Sequence, residues 1–196
     1  MDRPLINPGT LFWTGQHWVN YLRVPGMETD SGMVSLLHTD YCPAGEGTMA
    51  YVSIPGPSGC EGVFTNNLAV TDFIQKWMGG RGELYDRQME VLGATFHRVG
   101  DIRRTPTWII ETDSDQIIAT WDALQAPVLL DGPAPKFTKD RDVQSLLFFA
   151  DAARLLLNGH LISGAPYPRD NWNPSIGGER SSCFVALSET FIEVKV

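Results

Sequence analysis

From Thr107 to Pro133 the chain reads TWIIETDSDQIIATWDALQAPVLLDGP, the densest apolar run that also carries a turn. Trp108 to Thr112 and Gln116 to Leu124 are rich in β-branched and aromatic residues. Asp113-Ser114-Asp115 lies between them, so the pair is predicted to form a β-hairpin. Along its second strand Ile117, Ala119, Trp121 and Ala123 take one face, and Ile118, Thr120, Asp122 and Leu124 take the other. Both faces are mostly apolar. The hairpin is therefore expected at the centre of the fold, covered on both sides, with the carboxylate of Asp122 interrupting one face.

The flanking sequence has the same character. Thr10 to Val24, Met33 to Cys42, Thr48 to Ile54, Gly62 to Thr65 and Met89 to Val99 each show strand composition, and Ile102 to Arg104 is a candidate continuation. Pro25-Gly26 and Pro55-Gly56-Pro57 act as stops. One segment changes period: Val70, Phe73, Ile74, Trp77 and Met78 fall at helical spacing. A helix over 68–78 is predicted, capped by Asn66, Asn67 or Thr71 and ended by Gly79-Gly80. Its single apolar stripe needs an outer sheet face to rest on. A further strand is expected at Pro127 to Leu130, and Cys183 to Leu187 with Thr190 to Val196 forms the final strand or strands, with loops at 80–86 and 132–142. Val143 to Ser163 fits a helix from Asp142 to Gly159 or a pair of strands; Asn158-Gly159 between RLLL and HLIS favours strands. Pro166 to Gly178 is a long loop of the kind that often serves as a lid.

With 196 residues, one β-rich domain over 1–196 is expected. Eight to ten strands joined by short turns suit a single antiparallel β-barrel with one outer helix, because closure removes sheet edges. A two-sheet β-sandwich is the alternative. The ten-residue run GTLFWTGQHW, Gly9 to Trp18, resembles the Gly-x-Trp opening of the lipocalin-like (calycin) barrels. Both Gly9 to Trp13 and Gly15 to Trp18 are spaced more widely than in that motif, so the resemblance implies fold by analogy only.

A net charge of −8 without a basic cluster argues against nucleic acid and anionic membrane as partners. Cys42, Cys60 and Cys183 lack metal or disulfide spacing, so reduced thiols are expected and no metal or cofactor is implied. MDRPLINPGTLFW has no secretory pattern, and no apolar run approaches the roughly 18 residues of a membrane span. A cytoplasmic location is expected.

No GxSxG elbow, P-loop or HExxH is present, and GGRGE at 79–83 follows a helix instead of opening one. The candidates for chemistry are polar residues set among apolar strand positions. His38 and Asp40 share a strand face, where the carboxylate can orient or charge the imidazole. His97 stands beside Arg98, Asp101, Arg103 and Arg104, a cluster able to hold a carboxylate or phosphate. Asp122 needs a partner or a wet end, since an unpaired buried carboxylate is costly. His160 follows the Asn-Gly turn, and Tyr167, Arg169, Asp170 and Trp172 in the long loop are placed to close over a ligand; His17 is a further histidine among aromatics. Trp13, Tyr21, Trp108 and Trp121 are the expected lining of any cavity.

The leading expectation is a small-molecule-binding barrel for an apolar or aromatic ligand. Its enzymatic form is a cofactor-free isomerase, cyclase, hydratase or other lyase. His38, Asp40, His97 and Asp122 would move protons, while Arg98 or Arg103 with His160 and Tyr167 would bind. The competing expectation is a non-catalytic binding or assembly protein that oligomerises through an apolar sheet face.

Overall fold

The computed structural model describes residues 9–80, 82–133, 141–170 and 176–193. In chain order the elements begin with four strands, β1 (Thr10–Leu22), β2 (Gly32–Cys42), β3 (Gly45–Ile54) and β4 (Cys60–Thr65). Two helices follow, α1 (Leu68–Met78) and the single-turn α2 (Glu83–Asp86). Next come β5 (Val91–Gly93), β6 (Thr95–Val99), β7 (Thr107–Glu111), β8 (Gln116–Leu124), β9 (Val128–Pro133) and β10 (Arg141–Leu157). The last are β11 (His160–Leu161), β12 (Pro168–Arg169), β13 (Arg180–Ser181) and β14 (Phe184–Glu193).

One sheet path runs β5-β4-β3-β2-β1-β14-β10-β8-β7-β6, with β9 and β11 paired to β10, and β12-β13 form a separate ribbon. The two ends of the path, β5 and β6, are consecutive pieces of one stretch broken only at Ala94, whose N–H donates to Thr65 O. The sheet is thus a nearly closed barrel, not two stacked sheets. Every pairing along the path is antiparallel except β4 with β5.

The predicted helix is present at its expected bounds. The Asn67 side chain accepts from the N–H groups of Ala69 and Val70, and Val70, Ile74, Trp77 and Met78 are its buried stripe. The Asn-Gly turn is present as well. Asn158 (φ 51°) and Gly159 (φ 78°) are both left-handed, as a tight hairpin turn requires, and β10 continues into β11.

Other expectations change. β7 and β8 lie near one end of the path, whereas β1, paired to β2 and β14, lies in its middle. α1 packs beside β3, not outside the hairpin. The outer face of β8 is therefore only partly covered: Thr120 is buried, but Ile118 and Asp122 are half-buried. Residues 102–104 form a turn, with the N–H of Arg104 and of Thr105 donating to Asp101 O, so β6 is not continued. The expected loop 80–86 contains α2, and the expected loop from Gly132 begins with the end of β9; of the one or two strands expected at the C-terminal end, the structure has one, β14. Residues 171–175, with Trp172, and residues 134–140 and 194–196 lie outside the described residues.

Two apolar layers lie on opposite faces of the sheet. The inner one fills the barrel lumen and draws Leu36, Val52, Phe64, Ile110, Ile117 and Leu155 from strands all round the path. At its centre Trp18 meets Trp121 (5.3 Å between rings) and Trp108 (5.9 Å). The outer layer lies between the strands β1–β4, β14 and the first half of β10 and the two helices; it contains Trp13, Tyr51, Ile74, Trp77, Phe149 and Phe191.

Candidate functional site

The lumen is packed with aromatic rings, and two of its buried polar side chains tie strands together, while Trp108 Nε1 has no hydrogen-bond partner among the described residues. Asn20 Nδ2 donates to Thr120 O and Arg154 O, and Trp121 Nε1 donates to Val19 O. At one mouth of the lumen, Gln16 Oε1 accepts from Trp18 Nε1 and Arg98 Nη1. The Arg98 guanidinium and the His38 ring both lie against Trp108, at 5.9 and 5.7 Å. His38 also meets Thr48 Oγ1 through Nδ1 (2.7 Å) and faces Asp40 across 3.6 Å.

Of the sequence candidates, then, His38, Asp40, Arg98 and Trp108 come together, with Trp121 deeper in the same layer. The others do not join them. His97 points outward to Glu111 at 3.6 Å and is 59% exposed. Asp122 is held by Arg154 (3.1 Å), the structural pairing that its composition suggested. Arg103 and His160 are exposed. Trp13 and Tyr21 lie in the outer layer, Trp13 Nε1 donating to Thr39 Oγ1. Tyr167 donates its hydroxyl to Asp30 and carries the Arg23 guanidinium over its ring.

The densest polar cluster is in that outer layer, at its α2 end. His17 Nε2 and Ser35 Oγ are 2.8 Å apart, and Ser35 Oγ and Tyr85 Oη 3.0 Å. The Tyr21 hydroxyl neighbours both Ser35 and Tyr85. Tyr51 presents its ring edge-on to Tyr85 at 5.1 Å. On the other side of His17, Nδ1 stands 4.0 Å from Glu189 Oε2, with 13% and 9% of the two side chains exposed. That is too long for a hydrogen bond.

A bulge brings Glu189 here. By strict alternation it would share the lumen face of Val185 and Leu187. Between β1 and β14, however, Gly15 pairs with Glu189 while His17 pairs with Ala186, so β14 holds one extra residue. The same shift occurs against β10, where Ser145 faces Glu189 and Leu147 faces Ala186. The bulge turns Glu189 and Phe191 onto the helix-covered face. Gly15, the β1 partner of Glu189, also lies close against β2, where a Cβ would collide with His38 O.

The electrostatics follow from burial. Desolvation pushes the Glu189 carboxyl up to about 7, against a weaker downward pull from the Ser145 hydroxyl. Desolvation lowers the His17 imidazole to about 4. Burial likewise raises the hydroxyls of Tyr21 and Tyr85. Near neutral pH the site therefore holds a neutral imidazole beside a carboxyl poised to gain or lose a proton, the arrangement general acid–base catalysis requires.

Sequence reading named His17 and Tyr21 but missed Glu189, Ser35 and Tyr85. Ser35 and Tyr85 come from ordinary strand and loop sequence, and the alternation of β14 points Glu189 to the wrong face. Elsewhere, a groove of about 280 Å³ lined by Phe12, Phe73, Lys76, Trp77 and Arg141 has its cations engaged, Lys76 with Asp72 and Arg141 with Glu193. Among the described residues no cluster of three or more His, Cys, Asp or Glu is arranged to hold a metal ion, and no helix is long and apolar enough to cross a membrane. No family model, no curated protein and no solved structure matches this chain.

Proposed function

We propose that this barrel protein is a cofactor-independent acid–base enzyme of the isomerase, cyclase or lyase type, acting on a small molecule in the outer layer and not in the lumen. The observation that carries the reading is the buried pairing of Glu189 with His17 at 4.0 Å, extended through Ser35 to Tyr85. Glu189, with a carboxyl raised toward neutrality, is the proton donor and acceptor. His17 Nδ1 takes or returns the second proton when Nε2–H donates to Ser35. Tyr85 and Tyr21, held protonated by burial, are hydrogen-bond donors to a developing oxyanion. Phe184, with its ring 5.6 Å from that of His17, and Phe149 supply an apolar wall.

The test is solvent-proton exchange. A panel of small carbonyl compounds with acidic C–H bonds is incubated with the protein in D₂O, and deuterium uptake is followed by NMR. The native protein is expected to label at least one compound. Glu189→Gln is expected to slow that labelling by roughly 10²–10⁴-fold, the usual worth of a positioned acid–base group. Equal rates for the native protein and Glu189→Gln across the panel sink the proposal.

The competing reading, assembly through an apolar sheet face, draws less support. The helices cover part of the outer sheet surface, at β3, and the exposed large apolar residues Leu11, Met27, Tyr41, Leu68, Val91, Val99, Leu129 and Leu161 come from many different elements and form no single patch of one strand.

A further inference from the structure

Arg169 of β12 and Arg180 of β13 are direct cross-strand partners in the two-stranded ribbon. Like charges set opposite each other repel, so the pairing is unfavourable unless something neutralises it. Among the described residues no carboxylate lies within 4 Å of either arginine. Arg23, Arg87, Arg104, Arg141 and Arg154 each hold a carboxylate within 4 Å; Arg169 and Arg180 do not. Arg98 and Arg103 lack one too, but both are exposed, whereas Arg169 and Arg180 are half-buried.

Their surroundings are those of a site. The Arg169 guanidinium lies over the Tyr21 ring at 5.3 Å, and the Arg180 guanidinium over Phe149 at 5.7 Å. Both rings belong to the outer layer that contains His17 and Glu189. Arg169 is close enough to bias the titration of Tyr21 and Tyr85. Arg180 Nη2 reaches Ile176 O at 3.4 Å, but its Nε is buried without a hydrogen-bond partner among the described residues. Stacking over a ring occupies the face of a guanidinium and leaves its N–H edge free to grip an oxyanion with two parallel bonds.

We infer that Arg169 and Arg180 form the anion clamp of this site, and that its substrate is a small molecule bearing a carboxylate or phosphate. The inference rests on the acid–base reading above and narrows its substrate class. The anionic head sits on the N–H edges of the two guanidinium groups, whose faces rest on Tyr21 and Phe149 of the layer that contains His17 and Glu189. An acidic protein with a net charge of −8 repels anions generally, so such a ligand is drawn in by this local pair.

The experiment uses three probes, inorganic phosphate, phenyl phosphate and benzoate, each titrated against the native protein at constant ionic strength held with chloride. At tenfold excess over Kd a binding probe is expected to raise Tm by about 3–6 °C. Phosphate probes working alone identify a phosphoryl head, and benzoate alone a carboxylate. Arg169→Gln and Arg180→Gln are each expected to weaken binding at least tenfold. Both should fold with an unliganded Tm equal to or above the native one, because the cross-strand repulsion is gone. If either fails to fold, Arg169→Lys or Arg180→Lys replaces it; keeping the charge but not the fork, it should still bind several-fold more weakly. Asp122→Asn, outside the site, should bind the probe normally. The clamp is overturned if no probe stabilises the native protein more than chloride does, or if the shift survives both arginine substitutions. The two proposals fail separately: anion binding without deuterium exchange removes only the acid–base reading, and exchange without anion binding removes only the clamp.

Discussion

The lumen and the outer layer share the strands β1–β4, β10 and β14, yet their polar groups behave differently. In the lumen, Asn20 and Trp121 spend their donors on backbone carbonyls two and more strands away, tying the barrel across its interior. In the outer layer, His17, Ser35 and Tyr85 bond to one another, and Glu189 stands just out of reach. A buried donor aimed at a backbone acceptor is satisfied in one geometry and has nothing left to offer a ligand. A chain of side chains ending in titratable groups can pass protons. The lumen network ties the strands together, and the titratable network lies on the outside of the barrel.

That contrast is most directly broken by truncating one residue of each layer. Trp121→Ala removes a fully buried ring and the bond to Val19 O, and is expected to cost about 3–5 kcal/mol in urea unfolding. Glu189→Gln should cost far less at acid pH and should stabilise the protein above pH 7, where the native side chain must carry a buried charge. A large loss from Glu189→Gln at pH 8 would mean that the carboxylate is structural.

The pH dependence of stability sharpens the comparison, because the two groups act in opposite directions. Glu189 binds its proton more tightly folded (about 7) than unfolded (4.5), so its contribution is full below pH 4.5 and is lost as pH rises to 7. At ~1.4 kcal/mol per pH unit that is about 3 kcal/mol. His17 is the reverse. Its folded value, about 4, lies below the unfolded 6.5, so its contribution is present above 6.5 and is lost as pH falls to 4, by a similar amount. Between 4.5 and 6.5 the two slopes nearly cancel in the native protein. Glu189→Gln should expose a stability that rises with pH there, and His17→Gln one that falls with pH up to 7. Parallel slopes for both variants would refute the assignment.

A smaller change tests how the site is aimed. Gly15→Ala sets a Cβ against His38 O of β2, at the β1 position that pairs with Glu189. An overpacking cost of about 1–3 kcal/mol is expected. More tellingly, the Glu189 carboxyl, followed by ¹³C NMR, should move back toward 4.5 as its enclosure loosens. An unmoved Glu189 would detach the glycine from the site.

How much of this was legible beforehand depends on periodicity. The helix over 68–78, the Asn158-Gly159 turn and the barrel all follow from rules that hold over short runs: a 3.6-residue stripe, two left-handed turn positions, alternating strands. Glu189 was hidden because a bulge adds one residue and reverses alternation beyond it, which no local pattern reports. The placement of the 107–124 hairpin near the end of the sheet path was hidden for a related reason. Apolar residues on both faces say that a strand is half-covered or better, but not by what, and here α1 covers β3 instead. His38 and Asp40 were recognised as a same-face pair and are one, at the lumen mouth beside Trp108.

Asp122 supplies the smallest effect and the cleanest control. It interrupts an otherwise apolar face of β8, which on composition alone makes it either a paired structural acid or the polar group of a pocket. Its partner is Arg154 on the neighbouring β10, with 58% of the arginine and 27% of the aspartate side chain exposed. An ion pair this open is worth about 0.2–1 kcal/mol, screened further by salt. Asp122→Asn should therefore cost less than about 1 kcal/mol, leave the pH profile set by His17 and Glu189 unchanged, and leave deuterium exchange and anion-induced stabilisation at native levels. A loss of exchange in Asp122→Asn, with stability intact, would move the chemistry from the outer layer to the outer face of β8 and dissolve the contrast between the layers.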